Sequence, residues 1–245
     1  SGFWARGGKP VYGVYSTFVQ RTYDQLQQDL CINNNPITIL TFAASVWGMN
    51  DVTHLGIYDI PMMSNIPNLV YLAPTTYEEY IAMLDWSTEQ REHPVAIRVP
   101  GAVIHGEKPT KDYGILKYET VQKGSGAAII ALGTFFGMGK QAAELIEKKT
   151  GVKPTLINPV YITGIDEELL ESLKKDHKAV VTLEDGILDG GFGEKIARFY
   201  GDSDMRTVNF GLKKEFLDRY DANEVLRQNG ITPEQIADRA AELIK

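Results

Sequence analysis

The sequence predicts an α/β protein with two doubly wound, mostly parallel-sheet domains. Short apolar runs rich in β-branched and aromatic residues alternate with longer segments of helical spacing, which is typical of parallel α/β architecture. This alternation weakens once, between residues 100 and 126, where Pro and Gly recur. The 245 residues suffice for two domains of ordinary size. We therefore predict a first domain over residues 1–105, a linker over 106–125 and a second domain over 126–245.

The individual elements follow from periodicity, turn residues and helix caps. In the first domain we predict strands at residues 11–15, 37–42, 69–72 and 95–99, a helical segment at 19–33, and a helix capped by Thr75 or Thr76. In the second domain we predict strands at residues 127–132, 155–158, 179–183 and 206–209, helices at 140–149, 166–175 and 193–200, and a last helix opened by Thr232-Pro233-Glu234.

The bulk composition excludes several classes of protein. A formal charge of −7 argues against a nucleic-acid-binding protein, which needs clustered Lys and Arg. The single cysteine, Cys31, excludes an internal disulfide and favours a reducing compartment. No apolar run is long enough to span a bilayer and no secretory signal opens the chain, so we expect a cytoplasmic protein. The chain opens on Ser1 in the middle of a helical pattern, without Met, and we therefore expect a fragment of a larger protein.

Two segments supply candidate site residues, because ligands of open α/β sheets gather beyond the carboxyl ends of the strands. His54 lies in a long connection after the second strand, where an imidazole can transfer a proton near neutral pH. An ordinary loop histidine is the alternative. Tyr15, Arg21 and Tyr23 follow the first strand and offer an aromatic face, a charge and a hydroxyl to the same crevice. Ordinary packing of strand on helix is the alternative for this second group.

Other motifs predict no site. The four histidines, at positions 54, 93, 105 and 177, lack the spacing of metal ligands, so we predict no metal site in this chain. The glycines at 133–139 and 190–193 fit neither phosphate-binding pattern, and tight turns before helices are the favoured interpretation.

The segment from Gly8 to Gln25, which contains the first predicted strand, resembles the transketolase and 1-deoxy-D-xylulose-5-phosphate synthase family. Further matches to the same family are Thr53-His54, Ala73-Pro74 and Pro94-Val95-Ala96-Ile97-Arg98. The most specific match is the run Tyr15-Ser16-Thr17-Phe18 with Arg21 and Tyr23-Asp24-Gln25. Weaker matches follow in the second half, at residues 181–185, 190–193 and 209–212. The resemblance implies part of a pyrimidine-binding domain followed by a transketolase-type C-terminal domain.

The resemblance also implies thiamine diphosphate chemistry, with Mg²⁺, in the full-length enzyme. Phe18 is expected to stack on the aminopyrimidine ring, with Tyr23 nearby as a second cofactor-binding residue. His54 is the implied catalytic residue. Substrate-binding roles are implied for the set Tyr15, Arg21, Asn50, His54 and Arg98.

The implied reaction joins pyruvate to glyceraldehyde 3-phosphate with loss of CO2, which feeds isoprenoid and thiamine biosynthesis. The family's activating glutamate and its diphosphate and Mg²⁺ site fall outside this sequence, so the isolated chain is expected to be inactive. A homodimer is expected, completed by a missing N-terminal cofactor-binding domain or a separate subunit.

Departures from the family pattern leave the acceptor substrate open. Asn50 stands where the synthase usually has an aspartate, and Ala43 and Gly101 stand where it has phosphate-binding arginines. Two alternatives remain: a transketolase-like paralogue that transfers a two-carbon ketol unit, and a non-catalytic subunit that pairs with a separate cofactor-binding chain.

Overall fold

A computed structural model describes residues 1–101, 103–107, 109 and 113–244, which form two α/β units and confirm the predicted fold class. The first unit contains α1 (Gly2–Ala5), β1 (Val11–Tyr15), a 3₁₀ turn (Phe18–Thr22), α2 (Tyr23–Gln25), a π-helical segment (Leu26–Cys31), β2 (Thr38–Ala44), α3 (Asp59–Met63), β3 (Val70–Leu72), α4 (Tyr77–Glu89) and β4 (Val95–Pro100). The second unit contains β5 (Glu119–Gln122), β6 (Gly126–Ala131), a 3₁₀ turn (Gly133–Phe135), α5 (Phe136–Thr150), β7 (Thr155–Asn158), α6 (Glu167–Leu173), β8 (His177–Ile187), α7 (Phe192–Tyr200), β9 (Arg206–Leu212), α8 (Ala222–Gln228) and α9 (Pro233–Ile244).

The first sheet consists of four parallel strands in the order β1-β2-β4-β3. The strands align so that Tyr15 pairs with Phe42 and Phe42 with Val99. Their carboxyl ends therefore meet at one edge of the sheet, which is the position where ligands collect in this architecture. The loops that follow β1 and β2 carry the candidate residues to this edge.

The second sheet has the order β5-β7-β6-β8-β9, and every pair is parallel except β5 with β7. Strand β5 lies inside the predicted linker 106–125, so the second sheet begins earlier than predicted. The sequence hides this strand because its residues alternate between exposed and half-buried positions and contain no apolar run. Residues 108 and 110–112 of the predicted linker lie outside the described residues.

Several helices begin at a residue whose side chain caps the first turn. The hydroxyl of Thr76 accepts a hydrogen bond from the backbone N–H of Glu79, and the carboxylate of Asp166 accepts one from Leu169. Thr76 is one of the two caps predicted for α4, and Asp166 is the first residue of the helix predicted at 166–175. Each cap satisfies a backbone donor that the first helical turn leaves free. Asp221 caps α8 in the same way, although no helix was predicted there.

Buried hydrophobic clusters extend across both units. Ile60 and Tyr71 of the first unit belong to the same buried cluster as Ile130 and Ile162 of the second. The segment after β7 also bonds to the edge strand β3: Ala73 N–H donates to Val160 at 2.8 Å, and Ile162 N–H donates to the carbonyl of Tyr71 at 2.7 Å. The units are therefore joined by backbone bonds as well as by side-chain packing.

Candidate active site

Four of the predicted site residues come together at the carboxyl end of β1. The ring centroids of Phe18 and His54 are 5.0 Å apart, and Tyr15 lies 6.1 Å from Phe18 and 6.2 Å from His54. All three contacts are edge-on, a favourable geometry for aromatic rings. The guanidinium of Arg21 lies over the Phe18 ring, 5.4 Å from its centroid. Tyr15 is 45% exposed, so the cluster is open to a ligand.

His54 is oriented by two neighbours on its own loop. Its Nδ1 lies 2.9 Å from Oδ1 of Asp51 and 2.8 Å from the hydroxyl of Thr53, which itself donates to Asp51. A carboxylate only accepts hydrogen bonds, so Nδ1 carries the proton and Nε2 of the neutral ring is left as an acceptor. The hydrogen bonds from Thr53 and His54 lower the pKa of Asp51, which keeps this partner ionised. No role was predicted for Asp51 from the sequence.

The loop that carries His54 begins and ends under tight backbone constraints. Ala43 and Ser45, at the end of β2, have φ angles of +52° and +90°, in the left-handed region that costs a non-glycine residue about 1–2 kcal/mol. Ser45 then pairs with Gly56, where the loop returns to the sheet. A Cβ on Gly56 would lie 2.2 Å from the carbonyl oxygen of Ala43, so only glycine permits this approach.

Two other predicted site residues make contacts outside the cluster. The side chain of Asn50 donates to the carbonyl of Tyr220 in the second unit at 3.4 Å. Tyr23 is half-buried and packs against the hydrophobic core beneath the 3₁₀ turn that carries Phe18. Among the described residues, no ring contact joins Tyr23 to Phe18, so the cofactor-binding role of Tyr23 stays a prediction.

Arg98, predicted to bind substrate, lies in the interior. Its side chain is 3% exposed, and Nε lies 2.7 Å from Oδ2 of Asp59. It also pairs with Asp185 of the second unit. Burial alone would lower the pKa of Arg98, but the two carboxylates outweigh it and raise that pKa. Since both partners come from the protein, Arg98 joins the two units, and we leave it out of the proposed substrate site.

The buried polar cluster around Arg98 contains further side chains. Tyr71 donates its hydroxyl to Asp59, and the hydroxyl of Thr134 donates to Oδ2 of Asp185 at 3.2 Å. A second guanidinium nitrogen of Arg98 lies 3.4 Å from the carbonyl of Gly56. The cluster thus touches the last residue of the loop that carries His54.

Gly190 and Gly191 lie in the turn before α7, as predicted from the sequence, and Gly193 lies in the first turn of that helix. The backbone N–H groups of Phe192 and Gly193 each donate to the buried carboxylate of Glu184 at 2.8 Å. A carboxyl group of the protein therefore occupies the position at which a helix N-terminus would bind a phosphate. Burial raises the pKa of Glu184 to about 8, against the effect of the two backbone donors.

This raised pKa predicts a pH-dependent stability. Between its ordinary pKa of about 4.3 and its folded-state pKa, the folded chain retains a proton that the unfolded chain releases. Stability should therefore fall as pH rises through this window, by at most about 1.4 kcal/mol per pH unit. Urea unfolding at pH 5.5, 6.5 and 7.5 tests this, with Glu184→Gln expected to give the flatter profile. Parallel profiles would contradict a protonated Glu184.

The described part of the chain shows neither a metal centre nor a membrane span. Within residues 1–101, 103–107, 109 and 113–244, no three His, Cys, Asp or Glu side chains converge in a way that could hold a metal ion. Among the same residues, no helix combines the length and apolar character needed to cross a bilayer.

Comparison with known proteins gives consistent matches over the whole chain. The pattern of the transketolase pyrimidine-binding domain matches residues 1–103, and that of the transketolase C-terminal domain matches residues 116–236. The 1-deoxy-D-xylulose-5-phosphate synthase of Clostridium perfringens (strain SM101) is 36% identical over 248 residues. That of Clostridium tetani is 33% identical over 247 residues. Each alignment covers 100% of this chain, which spans about 40% of the length of these relatives.

Solved structures show the same fold at lower sequence identity. A split-gene transketolase, an inactive β4 tetramer, superposes with a TM-score of 0.85 at 21% identity, over 100% of this chain and 79% of that one. A transketolase from Pichia stipitis superposes with a TM-score of 0.76 at 19% identity, over 96% of this chain and 34% of that one.

Proposed function

Because this chain belongs to the transketolase family, matching its pyrimidine-binding and C-terminal domains, we propose that it is part of a thiamine diphosphate-dependent transferase of the 1-deoxy-D-xylulose-5-phosphate synthase type. The proposed reaction joins pyruvate to glyceraldehyde 3-phosphate with release of CO2. The observation that carries this proposal is the cluster of Tyr15, Phe18 and His54 at the carboxyl end of β1. The chain spans about 40% of the length of these relatives, so the activity in their name is proposed for this chain as part of a larger enzyme.

The residues of this cluster fit the aminopyrimidine end of the cofactor. Phe18 offers a half-buried flat ring at an open sheet edge, where an aromatic ligand gains contact area at little entropic cost. Bound thiamine diphosphate supplies the electron sink for decarboxylating a 2-keto acid and for forming the new carbon–carbon bond. We propose that its diphosphate and Mg²⁺ are bound by a further domain or a separate subunit, and we use "complete enzyme" for the assembly that includes it.

His54 is proposed to act on the substrate through Nε2. Asp51 and Thr53 hold Nδ1, so the opposite nitrogen points away from the loop and is available to a ligand. A neutral imidazole accepts a proton there, and the protonated ring donates it to a substrate oxygen. Tyr15 and Arg21 border the same opening, and we propose that Arg21 attracts the carboxylate or phosphate of a substrate. In the described part of the chain Arg21 has no ion-pair partner, and its contact is the Phe18 ring.

A transketolase-like transfer of a two-carbon ketol unit is the second candidate. The domain patterns that the chain matches are those of transketolase. In neither reaction is Arg98 free to bind a substrate phosphate, because it is committed to Asp59 and Asp185. A bidentate arginine gives a phosphate both affinity and orientation, so its loss weakens the case for glyceraldehyde 3-phosphate as the acceptor.

An activity assay of the complete enzyme distinguishes these two reactions. We expect CO2 release from pyruvate that depends on an aldehyde acceptor, tested with glyceraldehyde 3-phosphate, glyceraldehyde and glycolaldehyde. Turnover of ketose phosphates without any reaction of pyruvate would assign the transketolase-like activity instead. Absence of both reactions, with the cofactor bound, would favour a non-catalytic subunit.

Phe18→Ala is expected to weaken thiamine diphosphate binding to the complete enzyme by about tenfold, because stacking on an aromatic ring contributes about 0.5–1.5 kcal/mol beyond the area that it buries. Isothermal titration calorimetry measures the change. Phe216→Ala is the matched control, since Phe216 is 82% exposed and belongs to the second unit. Equal affinities for wild type and Phe18→Ala would exclude Phe18 as the ring-binding residue.

The assembly and location are also proposals. We propose a homodimer, supported by large apolar side chains that remain exposed near the active-site edge, among them Tyr15 (45%), Phe42 (36%) and Met49 (39%). Sedimentation equilibrium measures the mass directly. We also propose a cytoplasmic location, supported by the single cysteine, Cys31, which is buried and unpaired, as is usual in a reducing compartment.

A further inference from the structure

A short segment of the second unit lies against the loop that carries His54. Residues 218–220 connect β9 to α8 and contact residues 46–52 through hydrogen bonds. The backbone N–H of Val52 donates to Asp218 at 3.1 Å. The hydroxyl of Tyr220 lies 2.9 Å from the carbonyl of Val46 and 3.2 Å from that of Met49. The contacted loop groups belong to the backbone, so these bonds restrain the path of the loop itself.

The backbone of the same segment adds two further bonds. Arg219 N–H donates to the carbonyl of Asn50 at 2.6 Å, and the side chain of Asn50 returns a bond to the carbonyl of Tyr220 at 3.4 Å. Arg219 has φ of +48°, a conformation that costs a non-glycine residue energy and that surrounding contacts must enforce. Here this conformation accompanies the bond of Arg219 N–H to the loop.

Tyr220 is well suited to this contact. Its ring packs against a buried cluster that contains residues of both units, such as Leu55 and Ile236, and this packing fixes the position of the hydroxyl. Burial, with a smaller effect of Asp51, raises the pKa of Tyr220 to about 12, so the hydroxyl stays protonated and can donate at neutral pH. A donor held by a packed ring loses little side-chain entropy when it bonds to a loop.

The loop that carries His54 is restrained on both sides of the Asp51–His54 contact. At its far end the loop is held by Gly56, which accepts hydrogen bonds from Ser45 N–H at 2.8 Å and from Arg98. The bonds from residues 218–220 restrain the first half, up to Val52. Asp51 and His54 lie at the junction of the two restrained parts, and their mutual contact depends on both.

We propose that Asp218 and Tyr220 are positioning residues for His54: they hold residues 46–52 so that Asp51 stays against the imidazole and Nε2 keeps one direction. The structural part of this proposal stands without any assigned reaction. Its consequence for turnover rests on the proposed function. The second unit then acts on the active site directly, through a loop of the first unit.

The test compares four variants of the chain with wild type. Tyr220→Phe removes the hydroxyl and keeps the ring, and Asp218→Ala removes the acceptor for Val52. Asp218→Asn restores an acceptor oxygen and should rescue the loss. Tyr58→Phe is the matched control, because the Tyr58 hydroxyl also crosses between the units, to the carbonyl of Glu215 at 2.5 Å, without touching the loop.

The readout is nuclear magnetic resonance of Asp51 and His54. In Tyr220→Phe and Asp218→Ala we expect the pKa of Asp51 to rise from its lowered value toward its ordinary range, and the His54 ring to lose its single tautomer. Glu78 serves as an internal control, since a hydrogen bond from His105 lowers its pKa too, at a site that residues 218–220 do not contact. Glu78 should titrate identically in all variants.

Turnover by the complete enzyme is the second readout. We expect kcat/KM to fall about fivefold in Tyr220→Phe and in Asp218→Ala, the effect of one ordinary hydrogen bond, and to change less than twofold in Tyr58→Phe. Asp51 and His54 signals that match Tyr58→Phe in both test variants would overturn the proposal. The Glu78 signals would reveal a Tyr220→Phe variant that fails to fold. In that case the comparison of Asp218→Ala with Asp218→Asn tests the proposal, because Asp218 is exposed. A wild-type enzyme without turnover would instead refute the proposed function and leave the resonance result valid.

Discussion

Arg98→Met should lower the free energy of unfolding by about 3–5 kcal/mol, because it leaves Asp59 and Asp185 buried without their cation. Both carboxylates are fully buried, and Asp185 reaches Arg98 from the other unit. Without the arginine, the desolvation of the two carboxylates is no longer compensated by a cation. The contact between the units is weakened as well. Urea unfolding followed by circular dichroism measures the change.

An exposed ion pair gives the matched control for this substitution. Lys149 pairs with Asp238 at the surface, where the two side chains are 37% and 64% exposed. Lys149→Met should change the unfolding free energy by less than about 1 kcal/mol, since water screens such pairs. Replacing Asp59 and Asp185 by Asn together with Arg98→Met should recover part of the loss. A loss below 1 kcal/mol in Arg98→Met itself would show that the buried cluster does not hold the units together.

His54→Gln should lower kcat of the complete enzyme by about 10²–10⁴-fold, the range of a general acid or base. The amide keeps some hydrogen-bonding capacity but cannot exchange a proton with a substrate oxygen. Because the His54 side chain is 33% exposed, the unfolding free energy should change by less than about 0.5 kcal/mol. Steady-state kinetics of the wild type and the variant measure the effect.

Two comparisons make the His54 result specific. His93→Gln alters a histidine in the polar loop before β4 and should retain wild-type kcat. Asp51→Asn keeps the imidazole but weakens its anchor, so a smaller loss is expected than for His54→Gln. Wild-type turnover in His54→Gln would remove His54 from the reaction and with it the proposed mechanism.

The fold was largely predictable because its strands are apolar runs with clear boundaries. Strands at 11–15 and 155–158 have the predicted bounds, and β8 extends beyond its prediction because polar residues such as Glu184 and Asp185 continue the strand in a buried environment. Helices α3 and α8 were missed since each is under eight residues long and shows fewer than two turns of periodicity. Strand β5 was missed because an edge strand needs no continuous apolar run.

The site was predictable only where neighbouring strands bring residues together. Tyr15 ends β1, Phe18 follows it and His54 follows β2. These two strands are adjacent and parallel, so the proximity of the three residues follows from topology. The choice of Asp51 over Asn50 as the partner of His54 depends on the turn between residues 51 and 54, which sequence spacing does not specify. The substrate-binding role of Arg98 was implied by the resemblance alone. The sequence did not reveal its two carboxylate partners, because they lie 39 and 87 positions away in the chain.

The bonding of β3 to residues 160–163 has a consequence for the order in which the protein is made. During synthesis the first sheet emerges from the ribosome with β3 as a bare edge, and its backbone partners follow about ninety residues later. An uncovered edge of this kind can pair with another chain. Slow translation between residues 73 and 160 should therefore lower the soluble yield, and a chaperone that shields β3 during that interval should restore it.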